Sequence, residues 1–294
     1  MIGYLLAIGA AAIWSAVALS ATRIVRYFGS YNYNLLRLLG IIVFFFPYIY
    51  INWQSIYFDQ SIFTAIVLSS IIGIIIGDTF LFICLKRLGP RRQALLFSMQ
   101  IPFTIILAEI FLQTLPSLIE LIGCSLIFLG IIIAIQFNRT IPDDDLENIQ
   151  GNKYTGLFAG IGLALCQSIG IILMKPALVS TDPIVVSYLR VIVAAIIMFG
   201  SLFFIKNNQL WEKMKDIKKT VFSIFLGFMG MGVGMTMLII ALKNGDPGVI
   251  STLSSTMPIM IIPILWIVTK NYAGHLAVIG ATLTCIGAGI IFLS

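Results

Sequence analysis

Two matching sets of five apolar runs, each about as long as a bilayer is thick, leave this chain few folds to choose from. A hydrocarbon core of about 30 Å is crossed by roughly 20 helical residues. Runs of that length fall at 2–22, 33–52, 61–85, 91–112 and 116–136, and after a polar stretch at 154–175, 183–205, 220–242, 248–269 and 272–293. The two sets are copies. Gly3, Gly9, Ala11, Ser15 and Arg37 recur as Gly156, Gly162, Ala164, Ser168 and Arg190, a shift of 153. Gly73, Gly77, Leu85, Lys86 and Pro90 recur as Gly230, Gly234, Leu242, Lys243 and Pro247, a shift of 157. After a one-residue slip Pro102 matches Pro258, and then Gly123 and Gly130 match Gly280 and Gly287. An odd number of spans per copy makes the second enter the membrane upside down. The expected fold class is an all-α membrane protein, ten transmembrane helices in two inverted five-helix repeats. The repeats are 1–137 and 154–294, joined by a polar linker over 138–153.

Composition agrees. Sixty per cent hydrophobic and 10% charged residues exclude a soluble globular chain. The net charge of +6 is no nucleic-acid signal, because the basic residues sit in short loops between apolar runs. Fourteen of them, from Arg23 and Arg26 through Lys86, Arg87, Arg91, Arg92 and Arg139 to Lys270, project on the linker side; only Lys175 and Lys243 fall at the other. The positive-inside rule then places the linker in the cytoplasm and both termini outside, in a prokaryotic inner or plasma membrane. The first run is read as a retained span, because no basic region precedes it and 156–175 repeats it internally. The linker, with Asp143, Asp144, Asp145 and Glu147, reads as a solvated connector. The stretch 207–219 suits either an interfacial amphipathic helix or a solvated loop.

Cys84, Cys124, Cys166 and Cys285 lie in apolar runs without paired spacing, and His275 is the only histidine, so neither a metal site nor a cofactor is expected. Without a phosphate-binding GxxxxGK[ST] loop, the chain does not draw energy from ATP itself.

Charges inside spans cost about 2.5–3.5 kcal/mol on insertion scales, so each needs a reason. Arg37 and Asp78 lie at comparable depth in spans two and three and can pair, as a strut, a gate or a substrate clamp. Arg190 is the copy of Arg37, yet its expected partner is Met235; Glu109 and Glu120 approach that side and could answer it. Glu109 is the candidate for coupling to a proton or cation. Pro102 and Pro258 are expected to kink spans four and nine. Trp14, Ser15, Ser98, Gln100, Gln167, Ser168, Ser254, Ser255 and Thr256 form the polar lining available to a central cavity. Helix–helix hydrogen bonding is the competing use of the serines. Gly73-x3-Gly77 and Gly230-x3-Gly234 suit close helix packing within the bundle.

The order and duplication of these elements resemble the EamA type of the drug/metabolite transporter superfamily. The likeness rests on Ile13-Trp14-Ser15 in span one and Arg37 and Arg190 early in spans two and seven. It extends to Cys84-Leu85-Lys86-Arg87-Leu88-Gly89 ending span three, to Pro102 and Pro258, and to the glycine spacing of spans five and ten. The resemblance implies a ten-helix bundle moving a small metabolite by alternating access, in exchange or with proton coupling. Two features depart from the pattern. The Gly-Glu expected at the end of each fourth span is replaced by Leu112-Gln113-Thr114 and Thr269-Lys270-Asn271. The charge-based orientation also opposes the usual one. The partners expected are thus a small molecule and the lipid bilayer, with no nucleic acid. A neutral, zwitterionic or aromatic solute, such as an amino acid, suits the lining. A lipid flippase with the same fold is the alternative, and an enzyme is not expected.

Overall fold

The computed structural model describes residues 2–51, 59–112, 117–136, 146–180, 182–205, 208–245, 247–270 and 274–293. The described residues form helices and their connections, with no strand. The first repeat contains α1 (Ile2–Phe28), α2 (Ser30–Ile51), α3 (Gln60–Leu88), α4 (Pro90–Phe97), α5 (Gln100–Leu112) and α6 (Leu118–Gln136). The second contains α7 (Lys153–Ser180), α8 (Pro183–Ile205), α9 (Asn208–Met214), α10 (Ile217–Leu242), α11 (Pro247–Ser254), α12 (Met257–Thr269) and α13 (His275–Leu293). Among the described residues, nine helical stretches are long and apolar enough to cross a membrane. The remaining expected crossing, 91–112, is divided between α4 and α5.

Local chemistry sets the joints. Gly89, at φ 84°, ends α3 and lets Pro90 begin α4 at once. A side chain there would also strike the carbonyl of Leu146, 2.7 Å from the ideal Cβ position. Asp216 caps α10 by accepting from the Lys219 amide (3.2 Å), and its carboxyl also takes the Lys219 ammonium at 2.7 Å. Those two hydrogen bonds from Lys219 hold the Asp216 carboxyl below the usual carboxylate range. The stretch read as either interfacial helix or loop holds the short α9 and this cap.

Spans four and nine are interrupted beside Pro102 and Pro258, the residues expected to kink them. Each divides at two turn residues, Ser98–Met99 and Ser255–Thr256, and a new helix starts just before the proline. Proline lacks the N–H that would tie it to the preceding turn, but it fits the first turn of a helix. Thus Pro102 and Pro258 sit near the starts of α5 and α12.

The outer faces carry apolar side chains such as Val43 (72% exposed), Ile196 and Phe158, as lipid contact demands. The inner faces pack through small residues. The clearest seam joins α6 to α13. A Cβ on Gly123 would lie 2.7 Å from the Gly287 carbonyl, and one on Gly287 2.6 Å from the Gly123 carbonyl. Gly130 and Gly280 face each other in the same way. The copies of one glycine pair thus meet crosswise, Gly123 with Gly287 and Gly130 with Gly280, so the two helices run antiparallel. That is the contact an inverted repeat makes on its own twofold axis. Gly130→Leu is expected to cost about 3 kcal/mol or more by overpacking this seam. The check is a lower thermal midpoint and an aggregated elution profile in detergent, against a neutral outcome for Leu129→Ala on the exposed face.

Two π-helical segments interrupt spans three and eight: Ser70–Gly77 in α3 and Phe228–Gly234 in α10. They hold the matched Gly-x3-Gly pairs. π turns widen the backbone and leave carbonyls open to side chains from neighbouring helices.

Candidate functional site

The first polar cluster forms around the π segment of α3. Arg37 on α2 and Asp78 on α3 pair directly, with Arg37 8% and Asp78 7% exposed. Asn34, one turn before Arg37, accepts from Arg37 Nε (3.1 Å) and donates to the Ile74 carbonyl (3.0 Å). It also reaches Thr79 Oγ1 (3.2 Å). The guanidinium lies 4.9 Å from the centre of the Phe82 ring. From the other repeat, Gln167 on α7 donates to Asp78 Oδ1 (2.8 Å) and to the Gly73 carbonyl (3.3 Å). Asp78 is therefore held by both repeats at once, and such an arrangement fixes the orientation of a buried carboxyl group.

The second repeat repeats one of these bonds with a different side chain. Trp14 on α1 donates its indole N–H to the Gly230 carbonyl (2.8 Å). Gly230 is the copy of Gly73 and Trp14 the copy of Gln167. In both places, a side-chain N–H from the first span of one repeat binds the π-segment glycine carbonyl of the other. The second glycine of each pair makes room: a Cβ on Gly234 would lie 2.5 Å from Trp14 Nε1, and one on Gly77 3.0 Å from Cys166 Cβ.

The adjacent serines are mirrored too. Ser15 is fully buried, 2.8 Å from the Ala11 carbonyl and 3.4 Å from that of Met257. Ser168, equally buried, lies 2.8 Å from the Gln100 carbonyl and 3.0 Å from Thr104 Oγ1. Met257 and Gln100 open α12 and α5, so these hydroxyls tie spans one and six to the broken helices. Ser98, Ser254, Ser255 and Thr256 donate to carbonyls of their own helices, at Ala94, Ser251, Thr252 and Leu253. The cavity candidates thus divide into inter-repeat ties (Trp14, Ser15, Gln167, Ser168) and residues at or beside the two breaks.

Arg190 makes other contacts than one to Glu120, the described member of its two expected answers. Its Nη2 donates to the Ser69 carbonyl (3.0 Å) and its Nη1 points at Met174 Sδ (3.1 Å). Glu120 instead accepts from the Ser117 amide (2.6 Å) at the start of α6. Glu109 lies on α5, and its side chain is outside the described residues.

On the linker-side face, the latter part of the linker is not a solvated connector. Leu146 and Glu147 are 3% and 4% exposed. Glu147 accepts from the Arg91 amide (3.0 Å) and pairs with Arg91 Nε (3.3 Å) and Arg92 Nη1 (3.5 Å). Arg26 donates to the carbonyls of Leu146 (3.2 Å) and Asn148 (3.1 Å), and Arg87 to that of Gln150 (2.9 Å). Leu146 packs among Leu19 of α1 and Leu265 of α12. Buried apolar and carboxyl groups override the polar composition that suggested solvent. The stretch 138–145, with Arg139 and the three aspartates, lies outside the described residues.

Among the described residues no group of histidine, cysteine, aspartate and glutamate could hold a metal. Two repeats of apolar helices, tied across their interface by buried polar side chains, define a multi-pass membrane protein of the transporter class. The chain belongs to the EamA-like transporter family, whose sequence pattern matches residues 1–136 and again 154–293. That membership places the chain among membrane transporters. No curated protein matches the chain. One solved crystal structure, described simply as that of a protein, matches with a TM-score of 0.62. The match covers 99% of this chain and 96% of that one at 16% identity, and so shows a shared fold.

Proposed function

We propose that this protein is a secondary transporter that carries a small polar or amphipathic metabolite by alternating access. An amino acid or related compound, moved in exchange or with protons, is the solute class this reading favours. The observation that supports it best is the mirrored pair of bonds, Trp14 to Gly230 and Gln167 to Gly73. Equivalent ties across a repeat interface let one set loosen while the other holds, which rocking of two halves requires. Repeats 1–137 and 154–294 are the rocking units in this proposal, with 138–153 joining them. The fourteen basic residues of the linker side support a cytoplasmic location for that face.

Counterflow in proteoliposomes tests the function. Amino acids, nucleosides and quaternary amines are offered with and without a pH gradient, and saturable exchange of one class is expected. Lipid movement without any soluble exchange would replace this reading with the flippase. Within a working assay, Gln167→Leu should slow exchange about fivefold, the worth of one hydrogen bond of about 1 kcal/mol. An unchanged rate at normal expression would separate this tie from the transport cycle.

A further inference from the structure

Arg190 and Arg37 are copies of one another, yet the structure gives them opposite circumstances. Arg37 has Asp78 and Asn34. Arg190 has a carbonyl, a thioether sulfur and an Nε that is buried with no hydrogen-bond partner among the described residues. The position equivalent to Asp78 in its own repeat is Met235. Asp78 is bound on one oxygen by Arg37 and on the other by Gln167, and it makes no ion pair with Arg190. Among described side chains on the inner faces of spans two, three and seven, two guanidinium groups therefore share one carboxylate. A buried guanidinium without a matching anion is costly, and an unfilled Nε–H adds to that cost.

The surroundings are built to keep the guanidinium there. It lies over the crossing of α3 and α7, where Gly73 and Gly170 approach each other. A Cβ on Gly73 would fall 2.7 Å from Arg190 Nη2, and one on Gly170 3.6 Å from it. A side chain at position 73 would push the guanidinium aside, whereas one at 170 would press on the Gly73 backbone, 3.2 Å away. The crossing also lies beside the π segment, whose Gly73 carbonyl is bound by Gln167. The arginine is thus one residue removed from the tie that the proposed transport motion would loosen.

We propose that Arg190 is the seat for the carboxylate of the transported molecule, so that the substrate class is a small organic carboxylate. This rests on the transport reading and deepens it. Its Nε and Nη2 form the edge of the guanidinium that takes a carboxylate through two parallel hydrogen bonds. In the first repeat an internal aspartate fills the corresponding role. In the second, the seat is left to the solute, whose arrival supplies the missing negative charge. Selectivity follows from the same geometry: an amide or ester of equal size brings no charge to Arg190 and leaves it as unsatisfied as before.

The test is binding rather than transport, so that its failure is distinct from a failure of the transport reading. The full chain, purified in detergent, is melted with millimolar amino acids and short monocarboxylates, each against its own carboxamide. The expected result is a saturable rise of the midpoint with one or more carboxylates and none with the matching amides. Arg190→Gln should abolish the rise, and Arg190→Lys, which keeps charge but loses the fork, should weaken binding about thirtyfold. If Arg190→Gln melts too low to use, Gly73→Ala provides the second variant, since it displaces Nη2 without changing charge. Equal shifts by acids and amides, an undiminished shift in the variants, or no shift by any carboxylate would overturn the proposal. So would recovery of the Arg190→Glu protein by Glu109→Arg, which would show that an internal pair fills the seat. Carboxylate binding without counterflow would leave the seat standing and remove the transport reading instead.

Discussion

Asp78→Asn alone should lower the stability of the detergent-purified protein by about 3–5 kcal/mol, whereas Arg37→Met with Asp78→Leu should recover most of that loss. The difference arises from burial. Both side chains of the pair are 10% exposed, so removing the carboxylate leaves a guanidinium in a medium that cannot solvate it. Asn34 and Phe82 still touch the orphaned arginine, but neither carries a negative charge. Removing both charges leaves the hydrogen-bonding groups of Asn34, Gln167 and the π-segment carbonyls to be satisfied, and Arg190 without its share of the carboxylate, a smaller burden than an orphaned Arg37. Thermal midpoints of the two single variants and the double variant, arranged as a cycle, measure the coupling. A strut and a gate then separate on transport. If the pair is only a strut, the double variant regains uptake together with stability. If Asp78 is the residue through which the repeats hold one another, the double variant folds but exchanges slowly, because Gln167 has lost its Oδ1 partner. Single variants with unchanged midpoints would show that the pair contributes little to the fold.

The sequence and the structure diverge in an instructive way around this pair. The Arg37–Asp78 contact was legible, because depth along two apolar runs can be counted at 1.5 Å per residue from the charged ends. The role of Asn34 was not, although its spacing of three from Arg37 placed both on one helix face. Trp14 and Gln167 were readable as polar residues within spans. That they perform the same task was hidden, because an indole and an amide share only an N–H. The π segments were hidden more deeply. Ser70-Ile71-Ile72-Gly73-Ile74-Ile75-Ile76-Gly77 reads as ordinary apolar helix, and the wider turn emerges only from tertiary contacts of its carbonyls. The glycine seam of α6 and α13 was half legible. Repetition marked Gly123, Gly130, Gly280 and Gly287 as important, but not which faced which. Glu147 was misread because composition averages over a segment. Four acids in a short linker suggest solvent, yet burial is decided one residue at a time by whether a partner exists.

That buried carboxylate gives the other large effect. Glu147→Ala is expected to free the segment Leu146–Gln150 from the linker-side face and to change the exposure of that whole face. Among the described residues, Glu147 answers Arg91 and Arg92 with its carboxylate, and those arginines are 3% and 2% exposed. Truncating one partner of such a group costs about 3–5 kcal/mol, mostly through the charges left buried. The arginines relieve that cost by turning toward water or lipid phosphate, which requires the segment above them to lift. Arg26 and Arg87 hold that segment through carbonyls, a weaker grip than a carboxylate provides. Leu146 should then leave its place between Leu19 and Leu265, and so uncouple a first-repeat helix from a second-repeat one. A cysteine at position 146, with the native cysteines replaced, reports this directly. It should resist a membrane-impermeant maleimide with Glu147 present and react at least about tenfold faster with Glu147→Ala, if even 2 kcal/mol of the clasp is lost. Glu147→Asp keeps the charge on a shorter stem and should fall between the two. If the clasp opens and closes in transport, a disulfide between cysteines at 147 and 91 should block exchange, and reduction should restore it. Rapid labelling of residue 146 in the otherwise unaltered clasp would show that the linker does not seal this face.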